Sequence, residues 1–414
     1  MNVSRTAAFS VNQRTYQPPA RPVVAICLDG SADEYLDVAM ARGRMPALQS
    51  MSVKGYRGMA RGALPSFTNV NNSSLITGVP PSVHGIGGNF FYDVNLQKEV
   101  MMNSSQYLRT ETILATAGQA GRKVGVVTAK EKLRDILGKN LQGIAFSSEK
   151  AREARMETHG IANVETLVGL PTPEIYSGDA SLYVFRAGVA LIKAGLADFL
   201  YLSTTDYMQH TYSPERPESL DFYAAIDREL ERLLALGAVI GLTADHGMNA
   251  KQKPNGEPNV IYLESLLTEK FGPGFRVILP ITDPYVVHHG ALGSFAVIHT
   301  PPDMAVEPIQ KWLWELAGLS EVYDRETAAR KLELPVDRLG ELVALSGRDV
   351  VIGRTPAYHD LKALHGGLRS HGGRYEEMVP FILSEPLTPA YAMRAAADVR
   401  NFDLFDFVCN GTEA

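Results

Sequence analysis

Five short apolar runs alternate along the chain with segments of helical periodicity. The runs are VVAICLDG (23–30), KVGVVTAK (123–130), DFLYLSTTD (198–206), AVIGLTADHG (238–247) and VPFILSEP (379–386). Between the third and fourth runs, SLDFYAAIDRELERLLALG (219–237) has the spacing of an amphipathic helix and ends on Gly237. Because apolar strands that alternate with helices form open, mostly parallel sheets covered on both faces, the sequence predicts an α/β fold.

Acidic residues follow three of these predicted strands. Asp29 ends the first run, Asp206 ends the third, and Asp245 with His246 ends the fourth. In an open parallel sheet the carboxyl ends of the strands form one rim, where ligands bind. A single Asp at this place commonly caps the next helix, but three buried acids would repel one another without cations. No Lys or Arg follows Asp245 before Lys251, so the pattern indicates a metal site.

Two further segments supply imidazoles to the same rim. Asp206 and His210 are four residues apart in DYMQHTY, so a helix would place both side chains on one face, as metal ligands often are. His371 lies in the Gly-flanked stretch SHGGRY just before the last apolar run, and glycine permits close approach to a site. His365 competes with His371 for this place, and we favour His371.

Thr68 is a candidate for chemistry on a phosphoryl group. It follows a Pro-Ser turn and precedes a helix-compatible segment rich in Ser and Asn. Position alone favours a helix N-cap, which is the ordinary role of Thr at such a place. However, a helix N-terminus also favours phosphate, and a metal can lower the pKa of an oxygen nucleophile beside it.

Composition limits the classes of partner. The chain has 414 residues, of which 45% are hydrophobic and 21% are charged, enough for one large domain and a smaller one. A net charge of -6 and a pI near 6.0 argue against nucleic acid as a partner. The two cysteines, Cys27 and Cys409, suggest neither a disulfide framework nor a cysteine zinc site. The first twenty residues lack the apolar core of a signal peptide, and no run is long enough to span a bilayer, so we expect a cytoplasmic protein without membrane contact.

Taken in order, these motifs resemble those of the alkaline phosphatase superfamily, and within it the phosphodiesterase and nucleotide pyrophosphatase-like branch. The resemblance extends over almost the whole chain. It implies an alkaline phosphatase-like three-layer α/β/α core with a mostly parallel sheet. The motifs that carry it are Asp29-Gly30, Ser66-Phe67-Thr68, LITG (75–78) with PSVHGI (81–86), Asp206 with His210, Asp245-His246-Gly247 and His371-Gly372.

The resemblance also implies two zinc ions and their ligands. It assigns one zinc ion to Asp29, Thr68, Asp245 and His246, and a second zinc ion to Asp206, His210 and His371. Mixed imidazole and carboxylate ligands suit zinc better than magnesium. The resemblance makes Thr68 both a zinc ligand and the nucleophile that attacks phosphorus, and two metals can hold the attacking and leaving groups of an in-line displacement.

Three more residues receive substrate-binding roles from the resemblance, which also makes Asn89 a catalytic residue beside Thr68. Asn89, just after HGIGG, matches the position whose side-chain amide holds a phosphoryl oxygen, although Asn after two glycines is also an ordinary turn residue. Lys130 and Lys132, in TAKEKLR after the second predicted strand, match substrate-binding lysines. A solvated charged turn is the alternative for this pair, and a lysine can contact phosphate as well as carboxylate.

The long segment between Asp245 and His371 indicates an inserted domain. We expect an N-terminal arm at 1–20, a catalytic core at 21–252 and 366–414, and an inserted α+β cap domain at 253–365 that excludes water from the site. Arg276 and the histidines of VVHHG (286–290) lie in this cap and could contact an anion. We rank them no higher than surface residues, and we expect His288 and His289 on the surface or behind the site.

Within that branch, the resemblance implies hydrolysis of the carbon-phosphorus bond of phosphonoacetate to acetate and phosphate through a phospho-Thr68 intermediate. The nearest alternative is a phosphodiesterase or nucleotide pyrophosphatase that uses the same metals. A non-catalytic protein of the same fold, which would bind metal or ligand only, is a third hypothesis, and the complete ligand set and nucleophile argue against it. The expected partner is a small organophosphonate, and the sequence does not decide between a monomer and a homodimer.

Overall fold

The computed structural model describes residues 7–281, 292–361, 364 and 367–414. Within these residues, no helix is both long and apolar enough to cross a membrane. The strands are β1 (Phe9–Val11), β2 (Arg14–Tyr16), β3 (Val23–Cys27), β4 (Tyr56–Arg61), β5 (Phe90–Asp93), β6 (Lys98–Met101), β7 (Val124–Thr128), β8 (Gly143–Ser147), β9 (Phe199–Ser203), β10 (Val239–Thr243), β11 (Asn249–Ala250), β12 (Val260–Tyr262), β13 (Arg276–Ile278), β14 (Phe295–His299), β15 (Leu319–Asp324), β16 (Leu342–Ser346), β17 (Val351–Gly353), β18 (Arg369–Ser370) and β19 (Met378–Leu383). The α-helices are α1 (Asp33–Ala41), α2 (Pro46–Lys54), α3 (Thr68–Thr77), α4 (Pro81–His84), α5 (Ile113–Gln119), α6 (Glu131–Leu137), α7 (Met156–His159), α8 (Val164–Val168), α9 (Asp179–Lys193), α10 (Tyr207–Thr211), α11 (Pro217–Ala235), α12 (Leu263–Phe271), α13 (Val306–Trp314), α14 (Arg325–Lys331), α15 (Pro389–Ala395) and α16 (Leu404–Asn410).

A seven-stranded sheet with the order β4-β19-β10-β3-β9-β7-β8 lies at the centre of the protein. Strands β10, β3, β9, β7 and β8 pair in parallel, and β19 pairs antiparallel with both β10 and β4. All five apolar runs of the sequence form strands of this sheet, as β3, β7, β9, β10 and β19. The predicted α/β fold with a mostly parallel sheet is therefore confirmed.

Helices cover both faces of the sheet because successive residues of each buried strand point to opposite sides. Val24 and Ile26 pack in a cluster that also contains residues of α1, α2, α9 and α11. Val23 and Ala25 pack in a second cluster with residues of α3, α5, α6 and α16. These two apolar clusters give the three-layer α/β/α core that the sequence predicted.

A second, antiparallel sheet with the order β13-β14-β16-β15 lies inside the segment predicted as a cap. Its apolar cluster includes Phe295 and Val343 and extends to Phe67 and Val70 of the predicted nucleophile segment. The rings of Phe67 and Phe295 meet edge to face, with centroids 6.4 Å apart. The inserted segment therefore packs directly beside Thr68, whereas the domain boundaries at 1–20, 21–252, 253–365 and 366–414 stay a prediction.

A buried ion pair holds the chain together where it leaves and rejoins the main sheet. Lys251 Nζ lies 2.9 Å from Glu376 Oε1, and both side chains are fully buried. The same lysine donates to the backbone oxygen of Arg348 at 2.6 Å. Glu376 also accepts hydrogen bonds from Asn249 Nδ2 at 2.7 Å and from the Gly373 N–H at 3.1 Å. Glu376 thus links the segment after β10 to the segment after β18.

We expect Lys251→Met to lower the free energy of unfolding by about 3–5 kcal/mol, because it leaves the buried Glu376 carboxylate without its cation. Lys253→Met is the matched control, since Lys253 pairs with Glu257 at 3.8 Å on the surface and should lose less than about 1 kcal/mol. Urea unfolding of both variants measures the difference. Equal losses would show that the buried pair contributes no more than the exposed one.

Candidate metal centre

The strand ends of the main sheet bring the predicted acids together. Cys27 of β3 is paired with both Ser203 of β9 and Thr243 of β10, so these three strands end level with one another. Asp29, Asp206 and Asp245 follow within two or three residues. All three carboxylates are fully buried at this rim. The sequence prediction that the acids meet at one edge of the sheet therefore agrees with the structure.

Gly30 makes this close convergence possible. Its φ of +69° lies in the left-handed region, and a Cβ placed on it would lie 2.7 Å from the Cβ of Asp206. A side chain at this position would collide with the neighbouring acid, and only glycine adopts this φ without strain. The Asp29-Gly30 dipeptide thus places the Asp29 carboxylate beside Asp206.

Five acidic and imidazole side chains form two overlapping groups, and all five are buried. Within each group the potential ligand atoms lie within 4.8 Å of one another. Asp206 belongs to both groups. One group is Asp206, His210 and His371, and the other is Asp29, Asp206 and His246. Asp206, His210 and His371 are the three residues predicted to bind one zinc ion. The other group contains Asp29 and His246, two of the four residues predicted to bind the other zinc ion.

Asp245 lies beside the second group and is held by its own hydrogen bonds. Its Oδ1 accepts the N–H of Gly30 at 3.2 Å and the N–H of His246 at 3.0 Å. Its Oδ2 accepts from Asn72 Nδ2 at 3.2 Å and lies 3.9 Å from His246 Nε2. The carboxylate is therefore fixed in place with Oδ2 on the side of the cluster.

Backbone carbonyls fix the orientation of all three histidine rings. His210 Nδ1 lies 2.9 Å from the Arg369 oxygen, His246 Nδ1 2.9 Å from the Gly247 oxygen, and His371 Nδ1 2.7 Å from the Ser66 oxygen. A carbonyl oxygen only accepts hydrogen bonds, so each Nδ1 carries a proton. In the neutral ring, Nε2 then presents a lone pair. Metal-binding histidines commonly have this arrangement.

The Nε2 atoms face carboxylates. His210 Nε2 lies 3.0 Å from Asp206 Oδ2, and His246 Nε2 lies 3.2 Å from Asp29 Oδ1. The rings of His246 and His371 stack with centroids 3.5 Å apart, so two protonated rings would repel each other. Within the described part of the chain, His371 Nε2 is buried without a hydrogen-bond partner. Lone pairs and carboxylates that face one another in this way fit a divalent cation between them.

The electrostatics of the cluster show a deficit of positive charge. Burial and the neighbouring Asp206 and Asp245 raise the pKa of Asp29 to about 7. Burial lowers the pKa of His246, but Asp245, Asp29 and Asp206 outweigh it and raise that pKa to about 9. Both shifts have the same physical cause, which is several negative charges in a buried space. The cluster therefore favours the binding of cations.

Lys130 supplies one positive charge to the cluster. Its Nζ lies 2.7 Å from Asp29 Oδ2 and 3.0 Å from Asp206 Oδ1, and its side chain is buried. This lysine was predicted to bind substrate, and the structure places it between two acids that were predicted to bind different zinc ions. Lys132 is exposed on α6 and, among the described residues, forms no ion pair with these acids. Its role in substrate binding stays a prediction.

Thr68 and Asn89 lie together at the start of α3. Thr68 is the first residue of the helix and is buried. Asn89 is also buried, and its Oδ1 accepts the N–H of Asn69 at 3.3 Å. Because a backbone N–H must donate, the Asn89 amide is oriented with its oxygen toward the helix. Phe67 connects this helix start to the cluster, since its ring meets that of His371 at 5.6 Å.

His365, His288 and His289 are outside the described residues. Arg276, on β13, stacks its guanidinium on the ring of Tyr92 at 4.2 Å.

Sequence reasoning missed the residues that hold the predicted metal ligands in place. These include Asn72, which contacts Asp245, and Ser66, whose carbonyl holds His371. A signal was present in the segment TNVNNSSLIT, which is polar in composition. All ten of its residues are buried in α3. Because buried polar side chains require hydrogen-bond partners, a buried helix of this composition indicates a structured polar network.

Comparison with solved structures places this arrangement in context. Two structures of phosphonoacetate hydrolase from Sinorhizobium meliloti 1021, one in complex with phosphonoformate and one with phosphonoacetate, share 46% sequence identity with this chain at a TM-score of 0.92. The alignment covers 98% of both chains. Murine ectonucleotide pyrophosphatase/phosphodiesterase 5, at 17% identity, has a TM-score of 0.62 over 94% of each chain and shows the fold alone.

Two curated relatives have lower sequence identity to this chain than these phosphonoacetate hydrolase structures. Ectonucleotide pyrophosphatase/phosphodiesterase family member 3 of Bos taurus is 31% identical over 280 residues, or 62% of this chain and 28% of that protein. A Caenorhabditis elegans ectonucleotide pyrophosphatase/phosphodiesterase is 24% identical over 63% of this chain and 33% of its own length. The chain thus spans a third or less of these relatives. The sequence profile described as Type I phosphodiesterase / nucleotide pyrophosphatase matches residues 23–373, and the chain belongs to this family.

Proposed function

We propose that the protein hydrolyses the carbon-phosphorus bond of phosphonoacetate to acetate and phosphate. One observation carries the proposal: the buried Asp and His cluster lies beside the Thr68 end of α3, in a chain similar over 98% of its length to a phosphonoacetate hydrolase. The likeness to that enzyme in complex with phosphonoacetate supports a small phosphonate as the substrate.

Zinc is the proposed cofactor, with two ions at the two overlapping groups. Asp206, His210 and His371 would hold one ion, and Asp29, Asp245 and His246 would hold the other together with Thr68. When bound, zinc supplies positive charge that neutralises the phosphonate oxygens and lowers the pKa of the Thr68 hydroxyl. The Nδ1 hydrogen bonds to carbonyl oxygens leave each Nε2 as the ring atom that faces the carboxylates, which supports this assignment. The excess of buried carboxylates also supports it, since it needs a cation.

Thr68 is the proposed nucleophile. Its Oγ forms a bond to phosphorus while the phosphorus-carbon bond breaks, and the electron pair of that bond leaves with carbon as the enolate of acetate. The adjacent carboxylate spreads this charge. The Thr68 hydroxyl gives up its proton as the new bond forms, and the carbon takes up one proton to give acetate, so the step is balanced. Water then hydrolyses the phospho-Thr68 ester and releases phosphate with the free hydroxyl. The sum is one phosphonoacetate and one water consumed, with one acetate and one phosphate formed.

The chain's other polar groups would position the substrate. The start of α3 presents backbone N–H groups that favour a phosphoryl group, and the NH2 group of Asn89 would donate to a phosphoryl oxygen. Lys130 and Lys132 would attract the substrate's negative charge, including its carboxylate. The antiparallel sheet at the proposed cap, 253–365, packs beside Thr68 and would exclude water from the site. The cytoplasmic location stays a prediction.

A phosphodiesterase or nucleotide pyrophosphatase is the second candidate. The match of residues 23–373 to the profile of that family favours it. It would use the same nucleophile and metal ligands, but it would require no carboxylate on the leaving group. The two candidates therefore differ in substrate preference and share the metal centre.

Removal of the nucleophile should abolish turnover. We expect Thr68→Ala to lower kcat for phosphonoacetate by more than about 1000-fold, because no oxygen remains to attack phosphorus. Thr68→Ser keeps a hydroxyl and should retain part of the activity. Thr77→Ala, at the buried far end of α3, is the matched control and should leave kcat within a few-fold. Full turnover by zinc-loaded Thr68→Ala would contradict the covalent mechanism.

Metal removal and substrate choice can be measured in one assay. Chelator-stripped protein should release no phosphate from phosphonoacetate, and added zinc should restore release, because the cluster needs a cation. An activated phosphate diester is assayed beside it. Zinc-dependent release that is faster from phosphonoacetate supports the proposal. Zinc-dependent cleavage of the diester alone would support the second candidate, a phosphodiesterase. Activity that did not change after the metal was removed would exclude a metal-dependent enzyme.

The two lysines should have separable effects. We expect Lys130→Gln to lower kcat/KM for both the phosphonate and the diester, because it removes a buried charge between Asp29 and Asp206. Lys132→Gln should raise KM for phosphonoacetate alone, because it removes only a contact to the carboxylate. Lys150→Gln, which removes an exposed lysine paired with Glu153, is the control. If KM in Lys132→Gln were the same as in that control, a role of Lys132 in substrate binding would be excluded.

A further inference from the structure

Asn72, one turn after Thr68 on α3, is completely buried and connects three elements of the site. Its Nδ2 donates to Asp245 Oδ2 at 3.2 Å and to the Thr68 carbonyl oxygen at 3.0 Å. Its Oδ1 accepts from the Tyr201 hydroxyl at 2.7 Å and from Ser203 Oγ at 2.9 Å. One amide thus joins the nucleophile helix, the strand β9 that precedes Asp206, and the acid that follows β10.

These contacts allow only one orientation of the Asn72 amide. Carboxylate and carbonyl oxygens only accept hydrogen bonds, so the NH2 group must face Asp245 and Thr68. The amide oxygen then faces Tyr201 and Ser203, whose hydroxyls must donate. All four hydrogen-bonding positions of the side chain are used. A buried amide in this state has neither a second orientation nor a second partner available.

The contact with Asp245 completes the hold on that carboxylate. Backbone N–H groups of Gly30 and His246 already occupy Oδ1. Asn72 takes up one lone pair of Oδ2 and leaves the other for a ligand. The direction of that remaining lone pair therefore depends on the Asn72 hydrogen bond.

We propose that Asn72 is a positioning residue that directs the Asp245 carboxylate toward a metal ion and fixes it relative to Thr68. The inference rests on the proposed function, since it assumes that Asp245 is a ligand of the metal beside the nucleophile. Partners behind a metal ligand commonly change affinity by about 10- to 100-fold when they are removed. Asn72 acts on the reaction through Asp245.

The neighbouring Asn71 provides a matched control for a purely structural role. It is equally buried on the same helix, and its Oδ1 accepts from the Ala63 N–H at 2.7 Å and from Asn401 Nδ2 at 2.9 Å. Its Nδ2 donates to the Ala63 carbonyl oxygen at 3.0 Å. None of these contacts reaches a proposed metal ligand. Asn71→Ala therefore removes a comparable buried network without touching Asp245.

The test is zinc affinity, measured on metal-free protein by competition with a chromophoric chelator and without substrate. Wild type should bind two zinc ions per chain. Asn72→Ala should weaken one of them by about 10- to 100-fold and change the other less than about threefold. Asn71→Ala should lower the unfolding temperature but leave both zinc affinities near wild type. Equal effects of the two variants on zinc, or no zinc binding by wild type, would overturn the inference.

A double-mutant cycle shows whether Asn72 acts through Asp245. In the background of Asp245→Ala, the further change Asn72→Ala should cost less than about threefold in affinity for the zinc ion at Asp29 and His246, because its target is already gone. A full additional loss would show that Asn72 acts by another route and would overturn the inference. Because Asn72→Ala opens a buried cavity, Tyr201→Phe provides a milder variant with one donor removed. Tyr201→Phe should weaken the binding of the same zinc ion by about two- to fivefold. The inference would be overturned if Tyr201→Phe and a correctly folded Asn72→Ala both bound this ion with wild-type affinity.

These measurements separate the inference from the proposed function. If Asn72→Ala bound one zinc ion more weakly and wild type did not turn over phosphonoacetate, the positioning role would be supported and phosphonoacetate would be excluded as the substrate. If wild type turned over phosphonoacetate and Asn72→Ala had unchanged zinc affinity, the substrate would be supported and the positioning role of Asn72 would be excluded.

Discussion

The site depends on the burial of three carboxylates at one rim of the sheet. Asp29, Asp206 and Asp245 follow three adjacent parallel strands that end level, so their charges meet away from solvent. Each unpaired buried charge costs several kcal/mol. Lys130 offsets part of this cost, and the backbone N–H groups on Asp245 offset another part. The negative charge that remains, together with the imidazole Nε2 atoms that face it, favours the binding of a divalent metal ion.

Thr68, His371 and the antiparallel sheet are parts of one packed unit. The carbonyl of Ser66 fixes the ring of His371, and Phe67 packs between that ring and Phe295 of the antiparallel sheet. Thr68 begins its helix at the next position. A displacement of the antiparallel sheet would therefore move His371 and Thr68 together. In the proposed reaction, such a movement would change the positions of a metal ligand and of the nucleophile.

Much of this could be predicted from the sequence, because the relevant signals are local. The apolar runs predicted the strands, and the acidic residues after three of these runs predicted a site at the carboxyl ends of the strands. Edge strand β4, in contrast, has the mixed sequence YRGMAR, which carries no clear alternation. The sharing of Asp206 by two groups and the ion pairs of Lys130 also could not be predicted, because they depend on side-chain distances across the sheet. Asn72 lies in the Ser- and Asn-rich segment after Thr68, but its four hydrogen-bond partners include a residue 173 positions away, which the sequence does not indicate. The preference for His371 agrees with its place in the cluster, and Lys132 lies on the surface.

The most direct test of the central claim is a crystal structure of zinc-loaded protein with anomalous scattering recorded at the zinc edge. Two anomalous peaks are predicted, one within ligand distance of Asp206, His210 and His371, and one within ligand distance of Asp29, Asp245 and His246. Metal in these positions would show that buried negative charge at the rim is balanced by zinc. A cluster that contained no anomalous peak after zinc loading, with its carboxylates paired only with Lys130 and protonated histidines, would contradict the account.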